Sequence, residues 1–276
     1  METKKILVLG GKGKTGRRVA SKLTDLGKVV RIGSRSEDPS FDWENEKTWD
    51  GALKGIDSVY ITFQPDLAVP AALKTIEEFT LLAVRSGIKK MILLSGRGEK
   101  EAQACEQVVM GSGVNWTIVR ASWFNQNFSE SIFLEPLQVG HVALPQGETL
   151  EPFVDAGDIA EVVVESLLND EHVGKIYELT GPRLLTFKHA VAEISNHIGR
   201  DIAFQSITIL EYTTMLRNYQ VPEDHIWLAE YLFTQVLDGR NSSITNDIEK
   251  VLGRKPKDFT EYVRETVVTG VWNSAN

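Results

Sequence analysis

One feature near the start of the chain constrains the fold more than any other. Residues 5–9, KILVL, form a short, uninterrupted apolar run, and Gly10-Gly11-Lys12-Gly13-Lys14-Thr15-Gly16 follows at once. A run of that length and composition is the pattern of a parallel strand buried on both faces. After the glycines, Val19, Ala20, Leu23 and Leu26 recur at helical spacing. The loop carries GxGxxG on residues 11, 13 and 16, and GxxGxxG on 10, 13 and 16. Strand, glycine loop and helix in immediate succession are the context a dinucleotide-binding turn needs. Glycine lets the backbone approach a pyrophosphate, and the helix start offers unpaired N–H groups and a positive dipole end. A glycine-rich turn with no ligand is the plainer alternative. A Walker A loop is excluded, because it needs a glycine five positions before Gly13, where Val8 stands.

The rest of the first half repeats this rhythm. Strands are predicted at 29–34, 58–63, 90–95 and 115–120, with a short extended piece at 39–43. Helices are predicted at 47–53, at 69–86 ending on Gly87, and at 99–110 ending on Gly111 and Gly113. This alternation implies βαβ units and a doubly wound, mainly parallel sheet of Rossmann type. Beyond Ala121 the pattern changes. Residues 122–152 are aromatic-rich and irregular, 155–168 read as a helix and 175–179 as a strand. Further helices are expected at 186–198, 209–219, 223–237, 245–251 and 258–268. We therefore expect a cofactor-binding domain over 1–150 and a smaller, mostly helical substrate domain over 151–276. Residues 153–180 are expected to pack back onto the first sheet.

Cofactor choice is read at the end of the second strand. An acid about 20 residues beyond the glycines would hold an NAD ribose. Here the strand ends Ile32-Gly33-Ser34-Arg35, and Arg35 lies 19 residues after Gly16. A guanidinium pairs bidentately with a 2′-phosphate and Ser34 adds a hydroxyl, so NADP(H) is expected, with NAD(H) second. Glu37 and Asp38 stand two to three residues further on and would suit the ribose of NAD instead. Asp42 and Trp43 are expected beside the adenine, or else form a loop acid and a packing tryptophan.

With 38 acidic and 30 basic residues, the net charge of −8 argues against direct nucleic-acid binding. Cys105 stands alone, so no intrachain disulfide forms, and a cytoplasmic location is expected. No apolar run reaches the roughly 18 residues of a membrane span. The five histidines are scattered without HExxH, and CxxC is absent, so no metal site is expected. Asp155 and Asp158 read as helix-start residues.

GGKGKTG at the start, SxR after the second strand, LLSG at 93–96, SGVNWTIVRASWFNQNF at 112–128, PFVDAGDIA at 152–160 and YELTGPRLLTF at 177–187 resemble the NmrA-like branch of the atypical short-chain dehydrogenase/reductases. Within that branch the chain looks closest to a group that includes ergot-alkaloid iminium reductases and bacterial relatives. The resemblance covers nearly the whole chain and implies NADP(H) binding, with reductase activity or cofactor sensing. It implies cofactor contacts from Gly10, Lys12, Gly13, Lys14, Thr15, Gly16, Ser34 and Arg35. Phe63, Gln64 and Pro65, then Ser95 and Gly96, then Ser122, Trp123 and Phe124 are implied by the later strand ends.

Typical short-chain dehydrogenases donate a proton from the tyrosine of YxxxK. None of the six tyrosines here has lysine four residues on. The motif register puts Ala102 at the tyrosine position and Glu106 at the lysine position. Alcohol–ketone interconversion is therefore disfavoured, because a developing alkoxide needs a proton. A small hydrophobic acceptor such as a quinone or an iminium fits better. The alternative is a sensor reporting NADP(H) state to a protein partner. Arg97 and Glu99 are the nearest polar candidates for catalysis, although Glu99 also suits a helix start. Trp123, Phe124, Phe128, Phe133 and Phe153 line a hydrophobic pocket or build the core of the second domain. Cys105, with no basic cluster beside it, reads as inert.

Overall fold

The computed structural model describes residues 4–274. Eight strands lie among them: β1 (Lys5–Leu9), β2 (Val29–Gly33), β3 (Ser58–Ile61), β4 (Lys90–Gly96), β5 (Asn115–Ala121), β6 (His141–Leu144), β7 (Lys175–Leu179) and β8 (Ala203–Ser206). The chain divides into two compact units. One holds the residues up to Ala121, Ala156–Leu179 and Asp247–Gly253. The other holds Ser122–Asp155, Thr180–Asn246 and the residues from Arg254.

The first unit carries a six-stranded sheet in the order β2-β1-β3-β4-β5-β7, every neighbouring pair parallel. The central strands are apolar on both faces because helices cover both. Leu7, Leu9, Val59, Ile61, Met91 and Leu93 pack onto Ile76, Phe79 and Ala83 of the helix Ala72–Arg85. They also meet Ala102, Cys105 and Val109 of the helix Lys100–Met110. Alternate strand residues face the helix Lys14–Asp25, where the Tyr60 hydroxyl donates to Thr15 Oγ1 at 3.0 Å. The helix Ala156–Leu168 packs beside Lys14–Asp25. Strand order reverses at β1, since β2 follows on one side and β3 on the other. Its carboxyl end is thus the switch point at which open α/β sheets bind ligands.

Three local expectations need correction. The extended piece at 39–43 forms no strand. Its backbone groups are taken elsewhere: Phe41 N–H donates to the Ser34 carbonyl, Trp49 Nε1 donates to the Asp42 carbonyl at 2.7 Å, and Asp42 N–H donates to Thr48 Oγ1. The helix expected from residue 69 begins at Ala72, as Pro70 disfavours helical geometry at Val69. The helix expected from residue 99 begins at Lys100, with Glu99 extended at the cap position (φ −95°, ψ 114°).

The second unit has its own core of stacked rings. Phe128, Phe133, Phe153, Phe187, Phe233 and Phe259 are buried together with Tyr262 and Trp272. Phe187 sits centrally, with ring centroids 5.0 Å from Phe153, 5.5 Å from Phe133 and 5.2 Å from Trp123. Residues 122–152, expected to be irregular, contain the short helices Asn127–Glu130 and Leu134–Val139 and the strand β6, which pairs in parallel with β8. Among the described residues no helix is long and apolar enough to cross a membrane.

Because its ring closes this aromatic core, Phe187→Ala is expected to cost about 3–5 kcal/mol. Urea unfolding checks this. An unchanged midpoint would show that the ring cluster does not carry the second unit.

Candidate functional site

The glycine loop is built at atomic contact. Gly10 has φ +59°, a left-handed geometry, and a Cβ there would overlap the Thr62 hydroxyl. Its carbonyl accepts the Gly13 N–H at 2.8 Å. At Gly16 a Cβ would overlap the Gly10 carbonyl oxygen and lie 2.7 Å from its carbon. At Gly13 it would stand 3.1 Å from the same oxygen. Glycine is thus required where the first turn of the helix Lys14–Asp25 meets the end of β1. Gly13 occupies the cap position with no side-chain hydrogen bond, so the start of the helix faces out bare of side chain. Thr15 is nearly fully buried and its hydroxyl accepts from Tyr60. That leaves its backbone, not its hydroxyl, for a ligand.

The turn after β2 gathers the predicted basic groups. Lys12 Nζ donates to Ser36 Oγ at 2.5 Å and pairs with Glu37 at 2.8 Å. Ser34 and Ser36 hydroxyls lie 3.1 Å apart, and Arg35 is exposed on the same turn. The adenine expectation fares differently. Trp43 Nε1 donates to the Thr62 carbonyl at 3.0 Å, and its ring packs among Phe41, Trp49, Phe63 and Phe79. This is the packing alternative, since an indole anchored on both its edge and its faces has little left for a base. Asp42 Oδ1 accepts the Glu44 N–H and closes a local turn. Phe63 is half-buried on Trp43, while Gln64 and Pro65 are exposed and the Gln64 amide approaches Gly13.

At the carboxyl end of β4 a buried charge network appears. Ser95 Oγ donates to Glu106 Oε1 at 2.6 Å. Arg120 embraces Glu106 through Nε at 2.9 Å and Nη2 at 2.6 Å, and its Nη1 reaches Glu178 at 3.3 Å. Arg97, also buried, donates from Nε to Glu178 at 3.1 Å. Two guanidiniums therefore offset two carboxylates, and Glu106 is fully enclosed among them.

Glu99 stands beside this network and is not part of its pairing. It is 6% exposed, and no donor of the chain reaches its enclosed Oε2. Its carboxyl presses on Gly96, where any Cβ would overlap it. Burial holds the Glu99 carboxyl well above the ordinary carboxylate range, and the neighbouring Asp66 raises it further. Burial likewise raises Asp66, whose Oδ1 accepts the Ala68 N–H at 2.9 Å. The Glu99 and Asp66 carboxyls lie within hydrogen-bonding reach of each other, a contact that needs a proton between them. Cys105 lies nearby with its thiol pushed up to about 12, by burial first and then by Glu106 and Asp66, so it stays protonated at neutral pH.

In the second unit, Phe128, Phe133 and Phe153 are core rather than pocket: each is at most 2% exposed and packed on its neighbours in tilted and edge-to-face contacts. Trp123 and Phe124 remain partly exposed. Ser122 Oγ and both amide atoms of Asn125 are buried without hydrogen-bond partners. Asn125, Asp66, Glu106 and Arg120 were absent from the sequence expectations as site residues. Asp66 and Glu99 lie 33 positions apart, and only the pairing of β3 with β4 brings their loops together.

No family model matches the chain. Among curated proteins, prestalk A differentiation protein A of Dictyostelium discoideum is 28% identical over 278 residues, spanning 95% of this chain and 92% of that protein. Agroclavine dehydrogenase of Claviceps fusiformis is 26% identical over 294 residues, spanning 97% and 98%. Among solved structures, the NADPH-dependent quinone oxidoreductase of Escherichia coli complexed with NADPH superposes with a TM-score of 0.79, at 18% identity over 95% of this chain and 99% of that one. Over nearly its whole length the chain is thus similar to proteins of these kinds, in line with its resemblance to the NmrA-like branch of the atypical short-chain dehydrogenase/reductases.

Set against the YxxxK register of typical short-chain dehydrogenases, the network departs at two positions. Ala102, at the tyrosine position, is a fully buried methyl in the first core and has no proton to give. Glu106, at the lysine position, reverses the charge there, and Arg120 supplies the cation from the neighbouring strand. The serine at the end of β4 is thus held by a carboxylate and an arginine rather than beside a tyrosine and a lysine.

Removing one partner of this buried pair leaves the other unpaired. Arg120→Met is expected to cost about 3–5 kcal/mol, and Arg120→Met with Glu106→Gln to recover most of that loss. Denaturant midpoints of the single and double variants check it. An additive double variant would show that the pair is not coupled.

Proposed function

We propose that this chain is an NADPH-dependent reductase that moves hydride to a small hydrophobic acceptor, such as a quinone or an iminium, without a Tyr-Lys proton donor. The observation that carries the reading is the glycine cradle at the switch point. A Cβ at Gly16 would overlap the Gly10 carbonyl, one at Gly13 would crowd the same oxygen, and one at Gly10 would overlap the Thr62 hydroxyl, and the residues present fit a pyrophosphate on the bare helix start. Lys12, Ser34 and Arg35 on the adjoining turns supply the donors for a 2′-phosphate. The Lys12–Glu37 pair is exposed; such pairs are worth only about 0–1 kcal/mol, so it yields readily to a phosphate.

A reduced nicotinamide bound to this unit supplies the hydride. The chain's own residues bind and orient. The loop holds the diphosphate, Arg35 selects the phosphorylated ribose, and Ser95 stands fixed by Glu106 at the end of β4. We assign cofactor binding to the domain over 1–150, with Ser122, Trp123 and Phe124 at its nicotinamide end, and acceptor binding to the domain over 151–276. Relatives named agroclavine dehydrogenase and NAD(P)H azoreductase support the reductase reading. A sensor that reports NADP(H) state to a protein partner is the second reading. The methyl of Ala102 in place of a proton donor favours it, as does the relative named for differentiation.

Arg35→Ala is expected to weaken NADPH binding about tenfold or more, hydrogen bonds to charged groups being worth ~1.5–3 kcal/mol, and to leave NADH binding unchanged. Glu37→Gln is expected to tighten NADPH binding by releasing Lys12. Fluorescence titration of both dinucleotides measures this, and equal losses for NADPH and NADH would refute the phosphate site. A screen of quinones and iminiums, followed by loss of nicotinamide absorbance, tests turnover. Tight NADPH binding with no oxidation by any acceptor would favour the sensor.

A further inference from the structure

We infer that Glu99, paired with Asp66, is the proton donor of this protein, in place of the tyrosine that Ala102 replaces. The inference rests on the reductase reading above and names the group that completes it. Three observations of geometry support it. Glu99 is 6% exposed and its Oε2 is enclosed with no donor within reach. A buried carboxylate oxygen without a donor is costly, and the cost falls when that carboxyl carries its own proton and is no longer charged. The Glu99 carboxyl rests on Gly96, the last residue of β4, and only glycine leaves room for it. Asp66 comes from the loop after β3. Both groups therefore lie at the carboxyl ends of adjacent parallel strands, the edge on which ligands of such sheets bind.

Glu99 also holds the cap position of the helix Lys100–Met110, one helical turn before Ala102. An acid here is presented from the helix that bears the missing tyrosine. The groups around it favour the protonated form. Asp66 faces it from the β3 loop, and Glu101 and Glu106 add negative potential from its own helix. The Cys105 thiol, near Asp66 and Glu106, stays neutral. The cations Arg97 and Arg120 are drawn onto Glu178 and Glu106.

The step balances as follows. With an enone, the β-carbon gains a hydride and its electron pair from NADPH, which becomes NADP⁺. The C=C bond is reduced, and the resulting enolate takes the proton from Glu99. Glu99 is left a carboxylate and regains a proton from water by way of Asp66. With an iminium, hydride addition alone gives a neutral amine and no proton is needed. Glu99 therefore distinguishes acceptors by their demand for a proton.

The test compares wild type, Glu99→Gln and Asp66→Asn, each with NADPH and either an enone or an iminium, and records infrared spectra of the cofactor-free proteins. At neutral pH the wild type is expected to show the C=O stretch of an un-ionised carboxylic acid, and Glu99→Gln to lack it. Glu99→Gln is expected to lower the enone-to-iminium ratio of kcat by about 10²–10⁴, the usual contribution of a positioned acid. Asp66→Asn removes the like charge that keeps Glu99 protonated, so the alkaline limb of its enone pH profile is expected to move to lower pH. An absent acid band overturns the inference, as does an unchanged ratio in an active Glu99→Gln enzyme, and either result leaves the reductase reading standing. A wild type that reduces neither of these acceptors nor any quinone overturns both.

Discussion

The structure depends first on how closely the helix Lys14–Asp25 approaches the end of β1. The Gly10 carbonyl occupies the space that any side chain at residue 16 would need, and it also accepts the Gly13 N–H. That contact turns the chain from strand to helix in a few residues and points the helix start past the carboxyl end of the sheet. Because strand order reverses at β1, the same contact places the bare cap at the switch point. Lys12 and the β2 turn meet beside it for the same reason, since β1 and β2 are paired in register.

A second constraint follows from one charge reversal. Glutamate at position 106 is buried, and a buried carboxylate demands a cation and hydrogen bonds. Arg120, Ser95 and, through Glu178, Arg97 answer that demand. The side chains at the end of β4 are therefore committed to one another. The carboxyl left outside this pairing is Glu99, raised above the ordinary carboxylate range by burial first and then by its neighbour Asp66. The chemistry open to the chain is set by these two carboxyl systems, one paired with arginines, the other a carboxyl facing a carboxyl.

Much of the first unit was legible because its signals are local. Apolar runs buried on two faces, glycines at positive φ and helix-spaced leucines each report on a few neighbouring residues. The cofactor loop belongs to this class. What was not legible depended on distant partners. Residues 39–43 look extended, yet Thr48 and Trp49 take their backbone groups before a strand can form. Phe128, Phe133 and Phe153 suit a pocket or a core equally well, and only the rings of Phe187 and Phe259 decide for the core. β6 and β8 are four residues each and only partly buried, too short for alternation to stand out. Asp66 and Glu99 were separate acids until adjacent strands joined them.

The most direct measurement is a crystal structure of the protein grown with NADP⁺. The pyrophosphate is expected on the backbone of Gly10–Gly16, with the 2′-phosphate beside Arg35 and Lys12 and the Lys12–Glu37 pair opened. A dinucleotide bound away from the glycine loop would contradict it. So would one whose ribose is held by Glu37 while Arg35 points to solvent.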